Sequence, residues 1–386
     1  MLNRTFGCVR VVWNRTLAWR HARHHSEQAR TNFAQANAYL TAMKATEDLG
    51  WLNEVSSVPL QQALRHQQVA FSNFFAGRAR YPRYKSRTGR QSAEYTRSGF
   101  RYRDGKLFLA KTDTPLAFTW SWPDVDAASI DPTTVTVSKD PCGRWYVSFA
   151  VDVADPAQLP ATSAVVGVDL GIKDFAVTSD GEKIPNPRRL ARRERNLARY
   201  QRRMTRKVKG SANRAKARAK VARAHRKVRA SRADFLHRAS ARLVRDHDVI
   251  VIEDLAVKNM IRNRPLAKAI SDCGWGCFRR MIEYKAARAG RHLIVIGRWY
   301  PSSKTCSACG HLLADLSLKT RTWQCPSCGT RHDRDINAAK NILAAGLAVT
   351  ACGADVRHSG SSRVRSAVKQ EPRPVTAGIP VHQGGE

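Results

Sequence analysis

Acidic side chains are scarce in this sequence. The 386 residues carry 31 Asp+Glu against 67 Lys+Arg, a formal net charge of +36. That imbalance sets aside an ordinary metabolic enzyme as the starting expectation and names a polyanion as partner. Long apolar runs are missing too, since no stretch approaches the roughly 18–20 residues a membrane span needs. The opening MLNRTFGCVRVVWNRTLAWR scatters its charges and has no apolar core, so it does not read as a secretory signal. Wholesale disorder is excluded in turn, because 42% of residues are apolar and nine are Trp, enough for real cores. The expectation is a cytoplasmic, nucleoid-associated protein, with a length that allows two or three domains of roughly 150 residues.

Nothing suggests a disulfide framework. Cys306, Cys309, Cys325 and Cys328 form two CxxC pairs spaced C-x2-C-x15-C-x2-C, while Cys8, Cys142, Cys273, Cys277 and Cys352 are scattered. This reads as metal ligation plus free thiols. Each CxxC turn brings two thiolates to about 3–4 Å, and two facing turns make a tetrahedral S4 site suited to zinc. Gly310 and Gly329 follow the second cysteine of each pair, where a knuckle turn calls for positive φ. The site is closed, so its expected role is to fold a segment with little core of its own.

Along the chain, residues 11–76 read as helical, with Pro59 opening a second helix and Gly77 closing it. A basic, aromatic segment, RARYPRYKSRTGR, occupies 78–90. From 94 to 155 the pattern turns to short strands, with hairpins around Asp104-Gly105 and around Asp140–Gly143. DPAQLPAT (155–162) reads as a linker. Strands follow near VVGVD and Phe175–Thr178, then VIVIE and His292–Gly297, with amphipathic helices at 271–290 and 335–349. Residues 351–386, rich in Gly, Ser, Pro and Arg, lack a periodic apolar face and are expected to be a disordered tail.

Residues 188–229 hold 19 Lys/Arg and a single acid, Glu194, at helical spacing with Leu190, Leu197, Met204 and Val208 on one side. So few acids favour phosphate binding over a merely solvated face, with affinity falling steeply as salt rises. Arg192, Arg195, Arg199, Arg202, Arg203, Arg206 and Lys207 are the candidate contacts. In YPRYK, Arg83 and Lys85 interleave with tyrosines, which suits either base stacking or a loop packed on a barrel.

Three acids end or begin regular elements: Asp169 after VVGV, Glu253 after VIVI, and Asp335 at the start of a helix. Taken singly they read as a turn residue, a strand-end ion pair and an N-cap. Asp174, Asp180, Asp254 and Asp333 keep such structural readings. Gathered together, the first three could hold two Mg2+ ions for phosphodiester hydrolysis.

The order VGVDLGIKDFAVTSDG, VIVIEDLAVKNM, paired CxxC, HDRDINAAKNIL resembles the TnpB (OrfB) family of transposon-encoded RNA-guided endonucleases, relatives of type V CRISPR effectors, over about residues 5–350. The resemblance implies that Asp169, Glu253 and Asp335 are the nuclease acids, Asp335 being chosen over Asp333 by the D-x-N-A-A pattern. It also implies that the four paired cysteines are a zinc ribbon, and that Trp275 and Phe278 are packing anchors. The implied fold class is α+β and multidomain: a helical recognition region (1–93) and a β-barrel (94–155), then a RuvC-like, RNase H-type domain (164–350) that includes basic helices 188–240 and ribbon 302–331. The implied cofactors are structural Zn2+ and catalytic Mg2+. The implied partners are a guide RNA from the same element and target DNA, in a monomeric ribonucleoprotein. Family members usually begin with a strand before the first helix. This chain opens at NRTFGCVRVVWN, so either a later start or a lost edge strand is expected. The rival readings are an RNA-guided repressor without cleavage, a strand-transferring DNA transposase and a plain zinc-ribbon nucleic-acid binder.

Overall fold

The computed structural model describes residues 1–154, 157–317 and 319–351. The expected tail falls outside them from 352 onward, as do the first two residues of the expected linker. The chain divides into two compact units, Met1–Ala154 with Leu197–Arg226, and Asp155–Asn196 with the chain from Lys227.

The first unit begins with helices α1 (Leu2–Glu27), α2 (Phe33–Ala45) and α3 (Ser57–Phe75). Helix starts earlier than the apolar spacing suggested, at Leu2. Asn32 opens α2 through a reciprocal capping box with Gln35, and the Ser56 hydroxyl caps α3 so that Pro59 falls in its first turn. Strands β1 (Gln91–Thr96), β2 (Phe100–Arg103), β3 (Lys106–Leu109), β4 (Pro132–Lys139) and β5 (Trp145–Val151) follow. Both expected hairpins form. Asp104 and Gly105 take φ of 50° and 71° in the first, and Asp140 Oδ1 accepts the Cys142 and Arg144 amides in the second. Phe6, Val9 and Val12 of α1 share one core with Leu40, Leu60 and Leu64 and with Tyr95, Val135 and Val137 of the strands.

A closed barrel is not formed among the described residues. The strands make an open sheet, β1-β4-β5, and a separate β2–β3 hairpin. The reason lies in 110–131, where Pro115 and Pro123 interrupt the chain and no strand forms to close a ring.

The second unit is built on one mixed sheet. It contains β6 (Val165–Asp169), β7 (Asp174–Thr178) and β8 (Lys183–Pro185), then helices α4 (Glu194–Thr205) and α5 (Ala212–Asp246), through which the division between units passes. Next come β9 (Val249–Glu253), α6 (Val257–Met260), α7 (Arg264–Cys273), α8 (Trp275–Ala289) and β10 (His292–Ile296). A small hairpin, β11 (Thr322–Gln324) and β12 (Arg331–Asp333), leads into α9 (Arg334–Ala351). Strand order is β10-β9-β6-β7-β8, with β10, β9 and β6 parallel and β7 and β8 antiparallel. The near-continuous apolar runs of β6 and β9 are those of strands covered on both faces.

Two details depart from the sequence expectation. Helix 271–290 is interrupted because Gly274 adopts φ 72° and separates α7 from α8. Val208, placed on an apolar helix face, lies instead in the turn after α4 and is 77% exposed, since Gly210 at φ 94° breaks the run. Trp275 and Phe278 are buried packing residues, as expected.

Glycine governs how α9 lies on the sheet. A Cβ at Gly167 in β6 would stand 2.2 Å from the Ala339 carbonyl oxygen, and one at Gly346 in α9 would stand 2.4 Å from Val251 Cγ1 of β9. Only bare backbone at these two points lets helix and strands approach so closely.

Candidate active site and metal centre

That contact sets the position of three carboxylates. Asp169 ends β6 and Glu253 ends β9, and these strands run parallel in adjacent register up to Val168 opposite Ile252. Asp335 sits in the first turn of α9, the helix packed on both strands. The Asp169 carboxyl is pushed up to about 7, first by burial and then by the negative charges of Glu253 and Asp335, with Arg334 opposing. Burial also raises Glu253, partly offset by the Ser302 hydroxyl, which donates to Glu253 Oε1 at 2.6 Å. Arg321 Nη1 lies 3.6 Å from Asp335 Oδ2. A buried carboxyl raised by two neighbouring carboxylates, against which Arg334 only partly compensates, marks a donor set short of positive charge, which suits a divalent cation.

The neighbouring acids are occupied otherwise. Asp333 is the N-cap of α9, its Oδ1 accepting the amides of Asp335 and Ile336 while Oδ2 meets Lys183 Nζ at 2.6 Å. The capping role open to Asp335 thus belongs to Asp333. Asp254 is held between Arg279 and Arg298, which keep its carboxyl low. Asp180 is bound by the Thr178 hydroxyl in its turn.

The paired cysteines converge. All four Sγ atoms lie within 4.8 Å of one another, the only such group of three or more potential ligands among the described residues. The carboxylates are therefore more loosely gathered than the thiols. Cys306 and Cys328 are 3.7 Å apart, as are Cys309 and Cys325. A tetrahedron with Zn–S of about 2.3 Å has edges of about 3.8 Å, so the thiols fit zinc. Each knuckle closes alike, the Gly310 amide on the Cys306 carbonyl and the Gly329 amide on the Cys325 carbonyl, both at 2.9 Å, with φ of 78° and 71°. Thr330 lowers the Cys328 thiol to about 6, favouring the thiolate a metal needs. His332, packed on Trp323, places Nε2 3.0 Å from Cys306 Sγ. Cys8, Cys142, Cys273 and Cys277 are free thiols, and Cys352 lies outside the described residues.

Sequence reasoning missed what ties the two clusters together. Asn337 and Asn341, buried on α9, donate to the carbonyls of Thr305 at 2.7 and 2.6 Å, and Asn341 also to that of Ser302 at 2.8 Å. Asn337 Oδ1 accepts the Ser307 amide at 2.9 Å. The segment leading into the first knuckle is thus fastened to the helix bearing Asp335, and its Ser302 to Glu253. The signal was present: two asparagines four apart on an otherwise apolar helix face must find partners when buried.

The basic candidates fare unevenly. Arg192, in a short turn before α4, and Arg195, Arg199, Arg202, Arg203, Arg206 and Lys207 are all exposed, and none pairs with an acid among the described residues. Arg83 is exposed, while its carbonyl accepts from the Trp13 indole at 2.9 Å. Lys85 is largely spent on packing, with Nζ 4.3 Å over the Trp13 ring and its backbone bonded twice to Asn14. Tyr81 packs edge-on against Phe71 and Phe74 of α3, so this loop rests on helices.

Fold and site together define an α+β protein with a mixed-sheet unit, a carboxylate cluster at its parallel strand ends and a four-thiolate ribbon. A family model described as "Probable transposase" (OrfB of IS605) matches residues 148–264, one described as "Cas12f1-like, TNB domain" matches 275–342, and one described as "Helix-turn-helix domain" matches 1–29. A Streptomyces pristinaespiralis protein named "Putative RNA-guided DNA endonuclease" is 56% identical over 383 residues, covering 98% of this chain and 94% of its own. Escherichia coli (strain K12) "Putative RNA-guided DNA endonuclease InsQ" is 31% identical over 395 residues, covering 96% and 93%. The fold is similar to that of a chain in "Cryo-EM structure of the Cas12f1-sgRNA-target DNA complex", with TM-score 0.53 at 15% identity over 89% of this chain and 82% of that one. The chain belongs to the TnpB (OrfB) family of IS605-type elements.

Proposed function

We propose that this protein is an RNA-guided DNA endonuclease carried by an insertion-sequence element, hydrolysing DNA phosphodiester bonds with divalent metal ions. The observation that carries this reading is the Asp169 carboxyl, held near 7 by burial beside Glu253 and Asp335. Strand order supports a RuvC-like, RNase H-type domain over 164–350, because three antiparallel strands are extended by two parallel ones on the side of the first. Residues 1–93 would then serve recognition, and the strands of 94–155 would correspond to the barrel region in opened form.

Asp169, Glu253 and Asp335 would hold the metal, Mg2+ by the family resemblance, and the bound ions would supply an activated water and a counter-charge for the leaving oxygen. The chain's own part is positional. Ser302 engages Glu253 Oε1 and orients that carboxylate, while Asp333 fixes the first turn of α9 and so the backbone of Asp335. Burial and the two neighbouring carboxylates raise Asp169 and make it the acid with most to gain from a cation. The exposed arginines of 192–207 suit a phosphate backbone, in line with a guide RNA from the same element and a target DNA bound by a monomeric ribonucleoprotein.

The test is to co-express the gene with its downstream flank, sequence the RNA that co-purifies and assay Mg2+-dependent cutting of a matching DNA. Wild type should cut and Asp169→Ala should not, while both retain the RNA. Cutting by Asp169→Ala at the wild-type rate, or strand transfer without RNA, would contradict the proposal.

A further inference from the structure

One side chain on the loop that engages Glu253 has no partner among the described residues. Trp299 is 91% exposed, the highest value among the exposed large hydrophobic residues of the described chain. No hydrogen bond or ring contact to another described residue holds its indole. Its neighbour in sequence behaves in the opposite way, since Tyr300 turns inward and packs with Val251, Ile294, Ile296 and Ile342. A single exposed apolar residue is ordinarily unremarked. The loop that carries this one makes it informative.

That loop begins and ends on Glu253. Ile296, the last residue of β10, pairs with Glu253 in register, and Ser302 donates its hydroxyl to Glu253 Oε1. Between them, Arg298 is bound to Asp254, the Asp254 amide donates to the Ile296 carbonyl at 3.0 Å, and the Tyr300 amide donates to the Gly297 carbonyl at 3.2 Å. The Ser302 amide donates in turn to the Tyr300 carbonyl at 2.9 Å. Trp299 is therefore a fully offered ring on a loop fastened at both flanks. It stands three residues from Ser302, within about 11 Å of extended backbone. A rigid mount costs little further entropy when a partner stacks on the ring.

The geometry points to Trp299 as a stacking platform for an unpaired nucleobase, seating a single strand of nucleic acid whose backbone passes the carboxylate cluster. The chemistry of the surroundings favours a base over an apolar protein partner. The chain carries a formal net charge of +36, and Arg298, next to the ring in sequence, stays partly exposed although it is bonded to Asp254. An exposed ring in a strongly basic chain matches a strand that presents a flat base and charged phosphates alternately, whereas a protein interface wants contiguous apolar area. A base within a duplex is already stacked on both faces, so the occupant is single-stranded.

The assignment of the strand as substrate rests on the proposed nuclease reading, but the stacking itself is tested apart from cleavage. The full-length protein is titrated in EDTA with a short single-stranded oligodeoxynucleotide carrying 2-aminopurine at successive positions. Wild type should quench the probe at one or two positions. Trp299→Phe should keep most of the quenching, and Trp299→Ala should lose it while binding the oligonucleotide about tenfold more weakly. The slope of affinity against salt should not change in Trp299→Ala, because no phosphate contact is removed. Retained zinc and unchanged circular dichroism verify that this surface variant is folded. Equal quenching by wild type and Trp299→Ala, no quenching by wild type, or an altered salt slope would overturn the inference. Absence of Mg2+-dependent cutting by wild type alongside intact quenching would instead count against the nuclease reading alone.

Discussion

The thiolate ribbon and the carboxylate cluster lie in the same unit, yet they are assembled by opposite means. The four cysteines come from one short segment, 306–328, and their geometry is local, two knuckles each closed by its own glycine. The three acids come from β6, β9 and α9, and nothing local brings them together. Their meeting depends on a sheet register and on two glycines that let α9 sit against bare strand backbone. A local site fails when its ligands fail. A distributed site fails when packing far from it shifts. Asn337, Asn341 and Ser302 are where the two schemes touch.

Loss of the metal should break that contrast most sharply. Structural zinc contributes on the order of 10 kcal/mol to small ribbons. Cys325→Ser, or chelation, should abolish stoichiometric zinc and make 302–333 sensitive to protease, while the mixed sheet keeps its circular dichroism. Collapse of the whole unit would show that the ribbon is not the independent local element described.

Titration of Asp169 comes next. Its folded value of about 7 lies above the ordinary carboxyl value of 3.8. The neutral form is therefore favoured in the fold, so the contribution is full below the ordinary value and is lost as pH rises through about 7. The metal-free protein should lose thermal stability between about pH 4 and about pH 7. Mg2+ should restore it, and Asp169→Asn should be insensitive over the same range. A melting temperature that rises with pH in the metal-free protein would contradict this electrostatic picture.

Glycine substitution sharpens the distributed side. Gly167→Ala should cost about 1–3 kcal/mol in chemical unfolding, because the added methyl meets backbone that cannot give way by rotating a side chain. Zinc content should be untouched. Ser302→Ala should have the smallest effect on stability, about 1 kcal/mol or less, because the retained backbone keeps its bonds to Asn341. Its signature should be a pH–rate profile displaced upward, since the hydroxyl lowers the Glu253 carboxyl. An unchanged profile would remove Ser302 from any positioning role.

Legibility followed the same division. The ribbon could be read from spacing alone, and Gly310 and Gly329 took the positive φ that the knuckles required. The Asp104-Gly105 turn was equally plain, because local turn chemistry decides it. The acids were different. Each had an adequate structural reading, and only the family resemblance selected Asp169, Glu253 and Asp335 from seven candidates. The structure then gave Asp333, Asp254 and Asp180 local partners of their own. Gly274 was read through as helix interior because the apolar spacing continues on both sides of it. The opened strands of 94–155 escaped detection because closure depends on what 110–131 does, and hydrophobic alternation does not report that. Lys85 looked like a phosphate ligand by residue type, but its ammonium sits on Trp13, a partner 72 positions away that no local pattern reveals.

The most direct measurement is anomalous diffraction from crystals of the full-length protein soaked in Mn2+, for wild type and Asp169→Ala. Manganese density bridged by Asp169, Glu253 and Asp335, and absent from the variant, is the predicted result. Manganese bound by none of the three, or bound unchanged after Asp169 is removed, would contradict a shared cation pocket.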